Sequence, residues 1–459
     1  MFGTRYHRST VLPLLVFGLS ACMPLQQYRT QYSLCVNSGK VPLEKCEAHA
    51  IQKYQEAVSD SSAGQEYLLN FIEFDDQGML FDRKQMEAVL NLIYEEALTK
   101  DLLIAVFMHG WKHSAAPGDS NVEAFRSLLA RLDESEKRLS QDSKETPRQV
   151  VGVYLGWKGA SVTIPVLDHL SFWERKNTAQ KLGETGVAEV LSRLERIKLD
   201  KDSMVAGGSR TRMAMIGHGL GGTAMYGAVA RTLSDRFLQT AAPEGAQGDV
   251  RGVGNLVVLI NPSFPALQFA PLSNMAAARG SYFGSQLPVL AILTSETDYV
   301  SKLAFSWGRR ISTFFENERE INRWNAVTRK EEDLSEKAMN LNTPGNFLPF
   351  LTHSLHPTEE FSENTNQNPI TEFHKMYSAW VLDYPGSQIE FNGTRLQRTE
   401  QSAGRNPYLV IQVNRELLKD HGDLSDRRNL DFINELMLIS CQTPKMIEKT
   451  RSETQSLTR

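Results

Sequence analysis

The 459-residue sequence predicts an α/β fold built on a doubly wound, mostly parallel sheet. Three observations carry that prediction. Continuous apolar runs such as "DLLIAVFM" and "QVVGVYLGW" read as strands buried on both faces. Stretches with apolar residues three and four apart read as amphipathic helices. The two kinds of segment alternate along the chain, which right-handed crossovers convert into a parallel sheet. Composition agrees: 41% hydrophobic and 23% charged residues are those of an ordinary soluble globular protein. A net charge of −4 with no long run of one sign gives no reason to expect a nucleic-acid partner.

The first 21 residues read as an export segment rather than fold. Arg5, His7 and Arg8 form a basic start. "VLPLLVFGL" is an apolar core too short to span a bilayer as a mature helix. It ends in Leu19-Ser20-Ala21-Cys22, which resembles a bacterial lipobox. The resemblance implies cleavage before Cys22, acylation of its thiol (palmitate-like chains) and anchoring in a lipid membrane of the cell envelope. Met23 in place of Asp points to the outer membrane. Several acyl chains anchor stably, at about 0.8 kcal/mol per buried methylene. Residues 22 to 65 follow as a polar tether and collar. Within it a disulfide between Cys35 and Cys46 is expected in an exported protein. Cys441 ends an apolar helical run and reads as an inert buried thiol. No C-x-x-C pair occurs, and neither a metal nor a cofactor is expected.

The main domain is read over residues 66 to 440, with 441 to 459 as a tail. "YLLNFIEF" is its first strand, and "DRKQMEAVLNLIYEEAL" the first helix. "DLLIAVFMHGW" is a strand, followed by the helix "NVEAFRSLLARLDESEKRL" with Asn121 as its N-cap. "QVVGVYLGW" is a strand, "TAQKLGETGVAEVLSRLERI" a helix, "RMAMIG" a strand and "GGTAMYGAVARTL" a helix. "GNLVVLINP", "LPVLAILTSETD" and "NPYLVIQVN" are further strands, and "RRNLDFINELMLIS" the last helix. Residues 158 to 177 and about 300 to 405 break the alternation. They read as insertions over the carboxyl ends of the strands, where ligands of such sheets bind.

Four strand ends carry chemistry-like residues. After one buried strand comes His109-Gly110-Trp111. After "RMAMI" comes Gly217-His218-Gly219-Leu220-Gly221, followed by Gly222. After "LPVLAILTS" come Glu296 and Asp298, of which Asp298 is the preferred acid and Glu296 the reserve. After the last strand comes His421. This ordered set resembles the α/β-hydrolase superfamily, on its esterase- and lipase-like side. That resemblance covers roughly residues 66 to 440. It implies a nucleophile elbow at 217 to 221 and an oxyanion hole from the N–H groups of Trp111 and Leu220. Asp298 would orient His421 as general base, in the family's order of nucleophile, acid, histidine. One position departs from the family. The nucleophile's place is Gly219, which has no side chain able to attack.

Two functions follow from the resemblance. The first is a non-catalytic or impaired relative of ester hydrolases, a pseudoenzyme, which binds an acyl or ester-like ligand or an envelope protein partner. The alternative is an active esterase or lipase acting on carboxylic esters with a substitute nucleophile. Ser263 and Thr223 are the nearby hydroxyls, while His353 and His356 stand in the long insertion as pocket-lining or surface residues. "GHGLGG" lacks the Lys-Ser/Thr of a P-loop and the spacing of a dinucleotide turn.

Overall fold

A computed structural model describes residues 26–38, 43–55, 64–159, 168–242, 245–246, 248–297, 317–359, 369–419 and 426–442. In chain order the strands are β1 (Gln31–Asn37), β2 (His49–Gln55), β3 (Glu66–Glu73), β4 (Leu102–Met108), β5 (Gln149–Gly156), β6 (Arg212–His218), β7 (Ala241–Ala242) and β8 (Gly245–Ala246). They continue with β9 (Leu256–Ile260), β10 (Leu290–Ser295), β11 (Glu320–Asn325), β12 (Lys330–Ser335), β13 (His353–Pro357), β14 (Gln388–Phe391), β15 (Thr394–Arg398) and β16 (Tyr408–Val413). The helices are α1 (Arg83–Thr99), α2 (Ser120–Ser143), α3 (Asp168–Glu184), α4 (Gly186–Met204), α5 (Leu220–Gln239), α6 (Ala266–Arg279), α7 (Glu336–Leu341), α8 (Pro369–Val381) and α9 (Arg427–Ser440).

Among the described residues one sheet of 12 strands runs in the order β1-β2-β3-β5-β4-β6-β9-β10-β16-β13-β15-β14. From β3 to β13 every neighbouring pair is parallel. The α/β class and the mostly parallel sheet read from the sequence are therefore present. Side-chain alternation on β4 shows why its apolar run has no polar face. Ile104, Val106 and Met108 pack with helices α1, α4 and α5 on one side of the sheet. Leu103, Ala105 and Phe107 pack with α2, α8 and α9 on the other.

The order of connections fixes where a ligand would go. From β4 the chain crosses by α2 to β5 on one side. From β6 it crosses by α5 to β9 on the opposite side, over the opposite face. The loops leaving β4 and β6 thus part company at their carboxyl ends. Such a topological switch point opens a crevice there.

Several elements differ from the sequence expectation. The collar supplies β1 and β2, which extend the sheet beside β3. Their polar, alternating residues carry no long apolar run, so they read as tether. The helix read over 178 to 197 is two helices, and the first of them, α3, also takes in residues 168 to 177, which the sequence reads as part of an insertion. Thr185 separates the two, with its hydroxyl on the carbonyls of Gly78 (3.0 Å) and Lys181 (2.7 Å). Helix α6 stands where no helix is expected, because Pro271 interrupts its apolar period. Much of the stretch from 300 to 405 does not lie over strand ends. β13, β15 and β14 widen the sheet beyond β16, and α8 covers one face. β13 reads "HSLHP", in which a single buried leucine, Leu355, carries the strand pattern. The N-cap of α2 is Asp119 rather than Asn121; its carboxylate accepts the Asn121 N–H at 2.9 Å.

The Cys35–Cys46 disulfide is formed, with Cα atoms 5.7 Å apart and 11 residues of separation. It staples the connection between β1 and β2. Closing a loop of that length in the unfolded chain is worth about 3 kcal/mol. Cys35→Ser with Cys46→Ser is therefore expected to lower urea-denaturation stability by about 2–3 kcal/mol. An unchanged midpoint would show that this edge of the sheet unfolds independently of the rest.

Candidate functional site

At the carboxyl ends of β4 and β6 two loops touch. Gly217 and His218 end β6, and Gly219 is the N-cap of α5. Gly219 has φ 55° and ψ −119°, a backbone state that costs a side-chain-bearing residue on the order of 1–3 kcal/mol. Its N–H donates to the Ile260 carbonyl at 2.8 Å, while its own carbonyl accepts the Thr223 N–H at 3.2 Å. Leu220 and Gly221 then open α5, both buried. The first N–H groups of a helix have no partner within it, and they carry the positive end of its dipole. Close packing against β4 sets the residue at 221: a Cβ there would lie 2.3 Å from the His109 carbonyl oxygen.

The loop after β4 is fixed by His109, which is fully buried. Its Nε2 accepts the Trp157 N–H at 2.9 Å, so Nδ1 carries the proton and lies 3.0 Å from the Gly110 carbonyl. The Trp157 indole donates back to the His109 carbonyl at 3.0 Å. His109 thus ties β4 to β5 and sets the start of the Gly110-Trp111 turn. Trp111 is half-buried, edge-on to Phe172 with 5.5 Å between ring centroids. Its indole N–H is buried with no hydrogen-bond partner among the described residues. Such a group costs about 1–3 kcal/mol if left dry.

Burial holds the His109 imidazole down at a pKa of about 4, against an ordinary value of 6.5. The unfolded chain therefore binds a proton near pH 6.5 that the folded chain takes up only near 4. Stability is complete above 6.5 and is lost as pH falls through that window. His353, buried in β13, is lowered in the same direction by burial and by Arg398. Urea titrations at pH 7.5 and 4.5 are expected to differ by at least about 2 kcal/mol, with His109→Gln removing much of the slope. A flat profile in the wild type would mean that His109 is solvated.

A polar network beneath the two loops escaped the sequence reading. The Asp119 carboxylate accepts from His113 Nδ1 at 3.1 Å and from the Ser114 N–H at 2.9 Å. Asn121 Nδ2 donates to His113 Nε2 at 3.3 Å, and Asn121 Oδ1 lies 3.1 Å from His218 Nδ1. Burial pushes the Asp119 carboxyl up, but the His113 hydrogen bond and neighbouring donors outweigh it and hold it below its ordinary value. Both ring nitrogens of His113 are engaged, so the chain Asp119–His113–Asn121–His218 clamps the β4 loop to the β6 loop. The signal for it was "KHSAAPGDSN", which reads locally as a polar turn and reveals nothing of its partner 97 residues away.

The remaining strand ends are tied to this turn one after another. Asn261, after β9, donates its N–H to the Leu293 carbonyl at 2.7 Å and accepts the Ser295 N–H at 2.9 Å. Ser295 donates to the Leu418 carbonyl at 2.6 Å, and Thr297 to the Lys419 carbonyl at 2.7 Å. Asp298 and His421 themselves lie outside the described residues, as does Cys22. Their flanks, Thr297 and Lys419, are joined by that hydrogen bond. Glu296, the reserve acid, stands at the end of β10 with its carboxylate 3.4 Å from the Arg415 N–H. With strands about 4.8 Å apart, the end of β10 is two strands, or about 10 Å, from Gly219.

Other residues singled out in the sequence have structural places. Ser263 is fully buried, its N–H on Thr223 Oγ1 at 3.1 Å and its own hydroxyl without a partner among the described residues. His353 packs inside the sheet edge with Nδ1 2.8 Å from Thr352 Oγ1, and His356 Nε2 lies 2.9 Å from Ser354 Oγ. Cys441 is buried, and burial pushes its thiol up to about 11. A scan against protein-family models finds no match to this chain, and neither a search of curated proteins nor a search of solved structures finds one.

Proposed function

We propose that this chain is an α/β-hydrolase-fold lipoprotein of the bacterial envelope whose elbow carries no nucleophile. It binds an acyl or ester-like ligand, or an envelope protein partner, without turning it over. The observation that carries the reading is the backbone of Gly219. A strand enters, φ 55° and ψ −119° turn the chain, and a helix leaves. A sharp strand-to-helix turn of this kind is what G-x-S-x-G uses to raise its serine, which supports the reading. Glycine takes up that conformation with little strain and offers no hydroxyl. Trp111 and Leu220 stand on the two loops from which an oxyanion hole would be drawn, and the Thr297–Lys419 bond supports a meeting of Asp298 with His421.

An active enzyme would need another attacking group. Thr223 Oγ1 accepts the Ser263 N–H and lies 3.5 Å from the Gly219 carbonyl, while Ser263 is fully buried. A nucleophile must reach its substrate with a base beside it, so the non-catalytic reading is favoured. The wild-type protein is expected to hydrolyse p-nitrophenyl butyrate no faster than the residual of about 10³–10⁴ over water that a site without its nucleophile retains, and to take no label from a serine-directed fluorophosphonate. Turnover at ordinary enzyme rates together with labelling would overturn the reading.

A further inference from the structure

The chain enters the fold at the same edge as the candidate site. Glu73 is the last residue of β3, and its two carboxylate oxygens accept the N–H groups of Tyr28 and Arg29, each at 2.8 Å. The Arg29 guanidinium is buried, 4.1 Å over the Phe71 ring, with Nε on the Ala115 carbonyl at 2.9 Å. Gln85 Nε2 holds the Arg29 carbonyl at 2.8 Å. Residues 28 and 29 are therefore pinned to the carboxyl ends of β3 and β4. A cleft of about 440 Å³, open mouth included, lies beside them. Gln26 and Tyr28 form one wall, and Lys112, His113, Trp157 and Lys158 from the loops after β4 and β5 line the rest.

From Cys22 to Tyr28 is six residues of chain, which extend no further than roughly 20 Å. A compact chain of this length has a radius of gyration of about 22 Å, hence a diameter on the order of 55 Å. A tether of that reach cannot pass to the opposite edge. Taking the lipid-anchor reading above as its premise, we infer that acylated Cys22 holds the carboxyl edge of the sheet against the bilayer, so that the site draws its ligand, a membrane lipid, directly from the membrane. The surface of this edge fits such a partner. Met79, in the turn after β3, is 56% exposed. Lys112, also on the cleft, is exposed, and an anionic headgroup layer attracts such a lysine by about 1 kcal/mol, whereas Lys158 beside it is paired with Asp76 at 4.0 Å. No helix among the described residues is long and apolar enough to cross a membrane.

The test uses the full-length acylated protein reconstituted into phosphatidylethanolamine–phosphatidylglycerol vesicles that carry a headgroup spin label. A fluorophore is placed by Met79→Cys at the carboxyl edge, or by Thr146→Cys, an exposed site before β5 at the amino edge. Labelling is selective because Cys441 is buried and Cys35 is bridged to Cys46. Quenching at position 79 is expected to exceed that at 146 several-fold. Inserting 30 Gly/Ser residues between Cys22 and Gln26 is expected to abolish the difference. Equal quenching in protein that sediments with the vesicles overturns the orientation and leaves the anchor standing. Wild-type protein that fails to sediment with them, like a Cys22→Ser control, overturns the anchor and the orientation together.

Discussion

Gly219→Ser is expected to raise p-nitrophenyl butyrate hydrolysis by at least about 10²-fold over the wild type, and to make the protein reactive towards fluorophosphonates. The expectation follows from how catalysis is divided within a triad. Without its nucleophile a hydrolase site keeps only about 10³–10⁴ over water, from oxyanion stabilisation and binding. Supplying the hydroxyl on an existing turn recovers part of the remainder if His421 faces it. The same substitution is expected to cost about 1–3 kcal/mol of stability, because serine at φ 55° is strained where glycine is not. Gly219→Ala separates the two effects: it carries the stability loss without the hydroxyl. A folded Gly219→Ser protein that stays at the wild-type background rate would sink the proposal that an acid and a base still converge on this turn. A rate gain that survives His421→Ala would assign the chemistry to something other than the proposed base.

The parts of this molecule legible in the sequence are those whose physics is local. β4, β5 and β6 are buried on both faces, so their apolar runs declare themselves. The turn at Gly217 to Gly221 declares itself because strand and helix approach too closely there for side chains. The disulfide was legible because its two cysteines are neighbours in the chain. What the sequence hid depends on distant partners. Asp119 and His113 read as a polar loop until α2 brings them under His218. Glu73 and Arg29 read as ordinary charges until the chain entrance docks on the end of β3. β13 and β15 carry the composition of a loop, since Arg398 and His353 are buried polar residues within them. Arg398 offsets its burial by pairing with Asp383, and neither residue's own sequence neighbourhood predicts that pair.

The close approach at the turn into α5 leads to the largest stability effect. A methyl group at position 221 would stand 2.3 Å from the His109 carbonyl oxygen and 2.4 Å from that of Met108. Both oxygens belong to the backbone at the end of β4, which is bonded on each side to β5 and β6 and cannot give way alone. Helix α5 would have to lift away from the sheet, which opens its contacts and disturbs the Gly219 turn at once. Gly221→Ala is therefore expected to cost more than about 4 kcal/mol, beyond the usual range for overpacking, or to yield no folded protein. Gly227, two turns further along the same helix, provides the comparison. Its added Cβ would meet only Gly183 Cα, at 3.7 Å, an ordinary contact. There alanine restrains the unfolded chain and favours the helix, so Gly227→Ala is expected to stabilise by about 0.5–1 kcal/mol. Urea midpoints of the two variants would thus move in opposite directions for the same chemical change in one helix. If both moved together, helix propensity alone would explain the glycines of α5. The tight seat of α5 on β4 would then lose its main physical support.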